Sequence, residues 1–422
     1  MGSLIPGEGR GFPRILLVLG TALAVSCSTR DHDNPLDPEN ESTGGRPRWL
    51  EALADEGAVD LRWRVPGYDD LVSVELIDES TAEALWTGKA GEVSYRHEDL
   101  PNHELRTYRL DLFFDTPDSI RLPSQSAEPG PAVAWVLDAG SGRATRVTPD
   151  ARAVRFTLPV VDAASLRVEP DSGSVAVADF FGGAVHSYAP DGRLRWINRD
   201  VEHPSDVEAS PGGWWVGDPV GRVVVWIDDA GTTVYGDTLS GTPVLLAVVS
   251  DLRVWVAEER GPVLLVERGT GVIARLDEPG VPGALAPGPD GGVWISDLVF
   301  DRVRRLDEDA SVVFERTGMP GIVSMTPDPG ETGAVWLSDR GRGSLVRLAP
   351  DGTETESLEA VVAPSRIAVS PDGSEIWVAD PGASALLRLA RDGTVLVRAG
   401  QFSSPITVAV AFEPAPPAAA PR

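Results

Sequence analysis

Residues 376–394, IWVADPGASALLRLARDGT, decide how this chain reads. An apolar run ends in an acid, a glycine-bearing break follows, and a second apolar run closes on Asp-Gly. Similar runs stand upstream: WVLD ending at Asp138, VAVAD at Asp179, WWVGD at Asp218, VWVAE at Glu258, VWISD at Asp297 and VWLSD at Asp339. Successive acids lie 41, 39, 40, 39, 42 and 41 residues apart. A period near 40 in short apolar runs is the mark of a β-propeller blade, and seven copies predict seven blades of four strands.

Each copy has one internal grammar. Trp135, Trp215, Trp255, Trp294, Trp336 and Trp377 stand three places before the acid, with Ala176 the exception. Branched apolar residues flank the tryptophan, so both faces of its strand are apolar, as packing between two neighbouring sheets requires. The indoles therefore read as packing between blades. The acids Asp138, Asp179, Asp218, Glu258, Asp297, Asp339 and Asp380 read as turn caps that accept backbone N–H bonds. Twelve residues further on, Asp150, Asp191, Asp309, Asp351 and Asp392 mark tight hairpin turns, mostly followed by glycine. Segments such as PSDVEASPGG (204–213) and PSRIAVSPDGS (364–374) precede the tryptophan strands as inner strands. The first copy has no inner strand ahead of it, and the last is followed by a surplus one, PITVAVAFE (405–413). That strand completes the first blade and leaves no open sheet edge.

IWVAD…LLRLARDGT together with PSRIAVSPDG resembles the NHL and YVTN repeat propellers over residues 132–413. The resemblance implies a fold and says little of activity. Propeller ligands are expected on the face built by loops entering inner strands and loops leaving tryptophan strands. The acid recurs there, whereas Phe180, Phe181, His203, Arg222, Arg260, Phe300, Arg302, Arg340 and Arg342 differ between copies and are the candidate ligand-face residues. Arginine beside phenylalanine suits a protein, peptide or carbohydrate partner; a solvated rim with no specific partner is the plainer alternative. Two similar enzyme classes are weighed: gluconolactonase-like hydrolases, which hold a divalent metal with carboxylates and asparagine, and streptogramin-lyase relatives, which depend on histidine. Residues 131–413 contain one asparagine, Asn198, and two histidines, His186 and His203, too few for a three-histidine zinc site. His203, in EHPSD, is the one candidate base. No catalytic residue, metal or cofactor is assigned.

From residue 48 to about 130 the pattern changes to short alternating runs broken by turns, among them AVDLRWRVP (58–66), LVSVELIDE (71–79) and RTYRLDLFFD (106–115). They predict six or seven strands in a small β-sandwich. With Trp63 in an early strand and Tyr108 in a late one, the segment resembles an immunoglobulin-like fibronectin type III module. His97 and His103 read as surface residues.

At the N-terminus, Arg10 and Arg14 precede the apolar run 15–25, too short to span a bilayer and suited to an export signal. Cys27, the single cysteine, follows directly, so no disulfide framework exists. LAVSC resembles a bacterial lipobox, which implies a signal peptide over 1–26, lipidation of Cys27 and, with Ser28 next, the outer membrane. An ordinary secretory signal with an incidental cysteine is the alternative. Residues 27–47 are polar and proline-bearing, a flexible tether, and 414–422 a disordered tail. The 422 residues carry 37 basic and 64 acidic side chains, a net charge of -27 that disfavours nucleic acid and anionic lipid. The sequence thus predicts an all-β, monomeric, lipid-anchored binding or scaffold protein of the cell envelope, touching the membrane only through its anchor. A propeller hydrolase or lyase is the alternative.

Overall fold

The apolar runs of the repeat form strands covered on both faces, and those strands assemble into four-stranded antiparallel sheets. The computed structural model describes residues 50–410 except 56, 102–103, 117–118, 131–133, 149–153, 161–162, 171, 191 and 278–279. The chain divides into residues 1–48 and 49–422, and every described residue belongs to the second unit. Cys27, the expected signal and tether, His103, Asp150, Asp191 and the tail lie outside the described residues.

Among the described residues seven four-stranded sheets follow one another from residue 134 to 410, and the fold is a β-propeller. We number the blades by their tryptophan strands: Ala134–Asp138, Val175–Asp179, Gly213–Asp218, Arg253–Glu258, Val293–Asp297, Val335–Asp339 and Glu375–Asp380. Blades two to seven run in simple order, with inner strands Ala163–Val168, Asp206–Ser210, Pro243–Val248, Pro282–Pro287, Ile322–Pro327 and Arg366–Val369. Blade one takes its inner strand from Pro405–Val410, which pairs antiparallel with Ala134–Asp138 so that Val408 faces Val136. The inner strands neighbour one another in a closed circle.

Between consecutive blades lie seven apolar clusters, each with one buried indole from a tryptophan strand. Trp135, Trp215, Trp255, Trp294, Trp336 and Trp377 fill six of them. The interface between blades two and three lacks one from blade two, where Ala176 stands, and is filled from the opposite side by Trp214. Trp214 and Trp215 therefore serve the two faces of blade three, and both are fully buried. Trp255 and Trp294 also donate their Nε1–H to Gly291 O and Gly333 O of the next blade, at 2.9 and 3.1 Å.

The turns before the outer strands need glycine for two reasons. Gly231 and Gly352 have φ of +84° and +83°, which favours glycine. A Cβ there would also meet an aromatic ring from the preceding blade, Trp196 in one case and Phe314 in the other.

Ahead of the ring, eight strands form two sheets, one more strand than the alternation predicts. Glu51–Asp55, Ala58–Val65 and Gly91–His97 make the first; Leu71–Asp78, Glu83–Gly88, Arg106–Phe114, Ser119–Arg121 and Gln125–Ala127 make the second. The last two have three residues each, too short to show a period. Both sheets contribute to one core around Trp63, Leu76 and Tyr108. His97 differs from the surface position expected of it: it is half-buried, with Nδ1 3.1 Å from the Tyr108 hydroxyl, and burial depresses its pKa.

Candidate functional site

Each tryptophan strand ends on an acid at the same end of the ring, and the carboxylates organise the loops there. Asp380 accepts N–H bonds from Val362, Ala363 and Ala383, and Asp218 from Glu202, Val220 and Gly221. Asp138 accepts from Gly140, Ser403 and Ser404. Burial opposes ionisation of Asp138, but these N–H groups outweigh it and hold the carboxyl below its ordinary value. Asp179, Glu258, Asp297 and Asp339 also accept backbone N–H bonds. In blades one, three, four, five and seven the acid clips the loop entering the inner strand. Each carboxylate thus accepts from backbone.

The candidate ligand-face residues do not act as one set. Phe181 is 72% exposed and Phe300 52%, while Phe180 is half-buried, edge-on to both Phe181 and His203 at centroid distances of 5.0 and 5.2 Å. Phe180 and Phe181 line a groove of about 500 Å³ floored by Ala163 and Ala164, with Asp138 and Ser141 across from them. Arg222, Arg260 and Arg340 are exposed, and their guanidinium groups have no hydrogen bond or ion pair among the described residues. Arg302 is committed to the fold: it bonds Asp297 and Glu315 at 3.3 and 3.4 Å and lies over the Phe300 ring. Arg342 donates to Gly318 O at 2.8 Å. His203 packs by its ring. His186, on the third strand of blade two, lies 3.3 Å from Tyr188 Oη and 3.8 Å from Asp179, and burial depresses its pKa.

Arg222 and Arg260 also hold left-handed backbone, each with φ of +52°. The corresponding turns of blades one, two and six place Gly142, Gly183 and Gly343 in that conformation, and those of blades five and seven place Asp301 and Ser384 there. An arginine there carries a cost of about 1 kcal/mol that glycine avoids, and such residues concentrate at functional sites.

A second cluster, not foreseen from the sequence, sits inside the ring. The inner-strand residue paired with the tryptophan position is Ala409, Ala247, Ala286, Thr326 and Ala368 in five blades, but Arg167 in blade two and Glu208 in blade three. Arg167 donates Nε–H to Glu208 Oε1 at 2.8 Å, with Nη2 2.6 Å from the same oxygen. Asp206 accepts from Ser165 Oγ at 2.7 Å and from the amides of Val207 and Leu246. From blade seven, across the ring, Arg366 Nη2 comes within 3.9 Å of Glu208 Oε1. Burial, opposed by Arg167 and reinforced by Asp206, pushes Glu208 up to about 7. These groups cap a channel of about 330 Å³ walled by residues of all seven sheets and opening at the end opposite the acid loops. Charged residues inside SLRV, SDVEA and SRIAV, at positions that are uncharged in the other blades, were the signal for them.

Among the described residues no group of three histidines, cysteines or carboxylates comes together as a metal site. Nor is any helix there long and apolar enough to cross a membrane.

No protein-family model matches the sequence, and no curated protein matches it. Solved structures are similar in fold. A functionally unknown protein from Desulfotomaculum acetoxidans aligns at 10% identity and TM-score 0.56 over 67% of this chain and 99% of its own. A protein proposed to be a 6-phosphogluconolactonase, from Bacteroides fragilis, aligns at 13% identity and TM-score 0.53 over 66% and 97%. Virginiamycin B lyase from Staphylococcus aureus aligns at 16% identity and TM-score 0.49 over 58% and 87%. At these identities the likeness is one of propeller fold alone.

Proposed function

We propose that this protein is an exported binding propeller, tethered through a lipid on Cys27, whose acid-clipped loops take a protein, peptide or carbohydrate partner. The ring counts as seven blades of the NHL and YVTN type. The sheets ahead of it, with strands one, two and five facing the remainder, support a fibronectin type III-like module. The observation that carries the binding reading is the pair Arg222 and Arg260. Both hold a conformation that costs stability, and both leave the guanidinium uncommitted on the loop face that also exposes Phe181 and Phe300. The hydrolase or lyase alternative has less support: His186 is engaged with Tyr188 and Asp179, and His203 packs on Phe180 with its buried Nδ1 unpartnered and no second titratable group against it among the described residues.

The test is selection of peptide and glycan binders on the parent protein, followed by affinity measurement against Arg222→Gly/Arg260→Gly and Phe181→Ala. Loss of tenfold or more in affinity is expected, with the double glycine variant melting no lower than the parent. Unchanged affinity, or destabilisation by the glycines, overturns the reading. Labelled palmitate on the parent and none on Cys27→Ala tests the anchor.

A further inference from the structure

We infer that the channel mouth opposite the acid loops is a second binding site, for a small apolar monocarboxylate whose carboxylate is taken by Arg366. The two sites lie at opposite ends of the ring, so this inference stands apart from the reading of the acid loops.

Charge decides the head group. Arg167 and Glu208 satisfy each other at 2.6 to 2.8 Å, and Asp206 is satisfied by a hydroxyl and two amides. Arg366 alone has nothing within hydrogen-bonding distance: its one ionic neighbour, Glu208, is 3.9 Å away. A guanidinium offers a planar fork of donors that matches a carboxylate, and Arg366, its side chain 22% exposed, presents that fork to the channel. An amine would find Glu208 already occupied by Arg167. A doubly charged phosphate would face both Glu208 and Asp206 with one uncommitted cation. Arg167 and Arg366 together offset Glu208 and Asp206, so a carboxylate adds one charge to a neutral cluster where a phosphate adds two.

Walls and volume decide the tail. Val248, Leu285, Met325, Ile367 and Val408 line the space below the cluster, and Thr326 is the one hydroxyl among the lining side chains. About 330 Å³ is at the small end of ligand pockets and suits an acid of roughly eight to ten carbons or one aromatic ring. Burial of such a tail is favourable in proportion to the apolar surface it removes from water.

The experiment measures octanoate and octan-1-ol binding to the full chain by calorimetry, at a pH where octanoate is ionised. Octanoate is expected to saturate one site and to bind at least tenfold more tightly than octan-1-ol, a preference that Arg366→Gln abolishes. Thr326→Phe, which fills the channel, is expected to remove binding of both ligands while leaving the acid-loop binders unaffected. Equal affinity for acid and alcohol, no binding of either, or octanoate binding that survives Thr326→Phe overturns the inference. Should Arg366→Gln fail to fold, the acid-to-alcohol ratio on the parent and the Thr326→Phe result decide it.

Discussion

At the residue scale the protein spends its acids in two ways. The seven at the tryptophan-strand ends are clips for backbone amides, whereas Glu208 is an acid that burial pushes up to about 7. A carboxyl raised to about 7 keeps its proton in the folded chain over a range where the unfolded chain, near 4.5, has released it. The folded state then binds more protons, so stability falls as pH rises from about 5 to about 7. In Glu208→Gln this contribution is gone, and urea midpoints at pH 5 and 7.5 are expected to lie closer together than in the parent. Identical pH dependence in the two proteins would refute the burial of Glu208. Such residues are hard to read from a single chain. The seven clip acids repeat with the period and announce themselves; Glu208, Arg167 and Arg366 each occur once, and only the sheet register shows that they meet.

At the element scale the unit is the interface between two blades, and its requirement is one indole. The repeat made six tryptophans legible, along with the apolar faces around them and the order of strands within a blade. Ala176 reads only as a missing residue in sequence. What replaces it, Trp214, points the other way from an adjacent position, which becomes visible once the two faces of blade three are distinguished. The sandwich was legible as alternating runs, but its two three-residue strands are shorter than the pattern needs. Trp214→Ala is expected to cost about 3–5 kcal/mol, the usual range for emptying an indole site in a core. Ala176→Trp combined with Trp214→Ala is expected to recover part of that loss, because the indole re-enters the same interface from the other side. Chemical denaturation of the three variants measures the coupling, and strict additivity would show that the two positions do not share a space.

At the scale of the whole molecule the ring is closed by pairing Pro405–Val410 with Ala134–Asp138. Closure was legible because the first copy lacks a strand that the last one supplies. The nature of the ligands was not: rim and channel residues are those that break the repeat, and nothing periodic points to them. Ala409→Pro, opposite Trp135, removes a ladder donor and is expected to destabilise the protein by about 3 kcal/mol or more, read as a lowered denaturation midpoint. A midpoint equal to that of the parent would mean that the strand does not seal the ring.

That seal has a consequence for biogenesis. Residues 134 and 410 become partners only after nearly the whole ring has left the ribosome, and until then blade one lacks its innermost ribbon. Long-range pairing of this kind is the slow step of folding. A chain still missing that ribbon therefore keeps blade one open, and the ring locks only once residues 405–410 reach it.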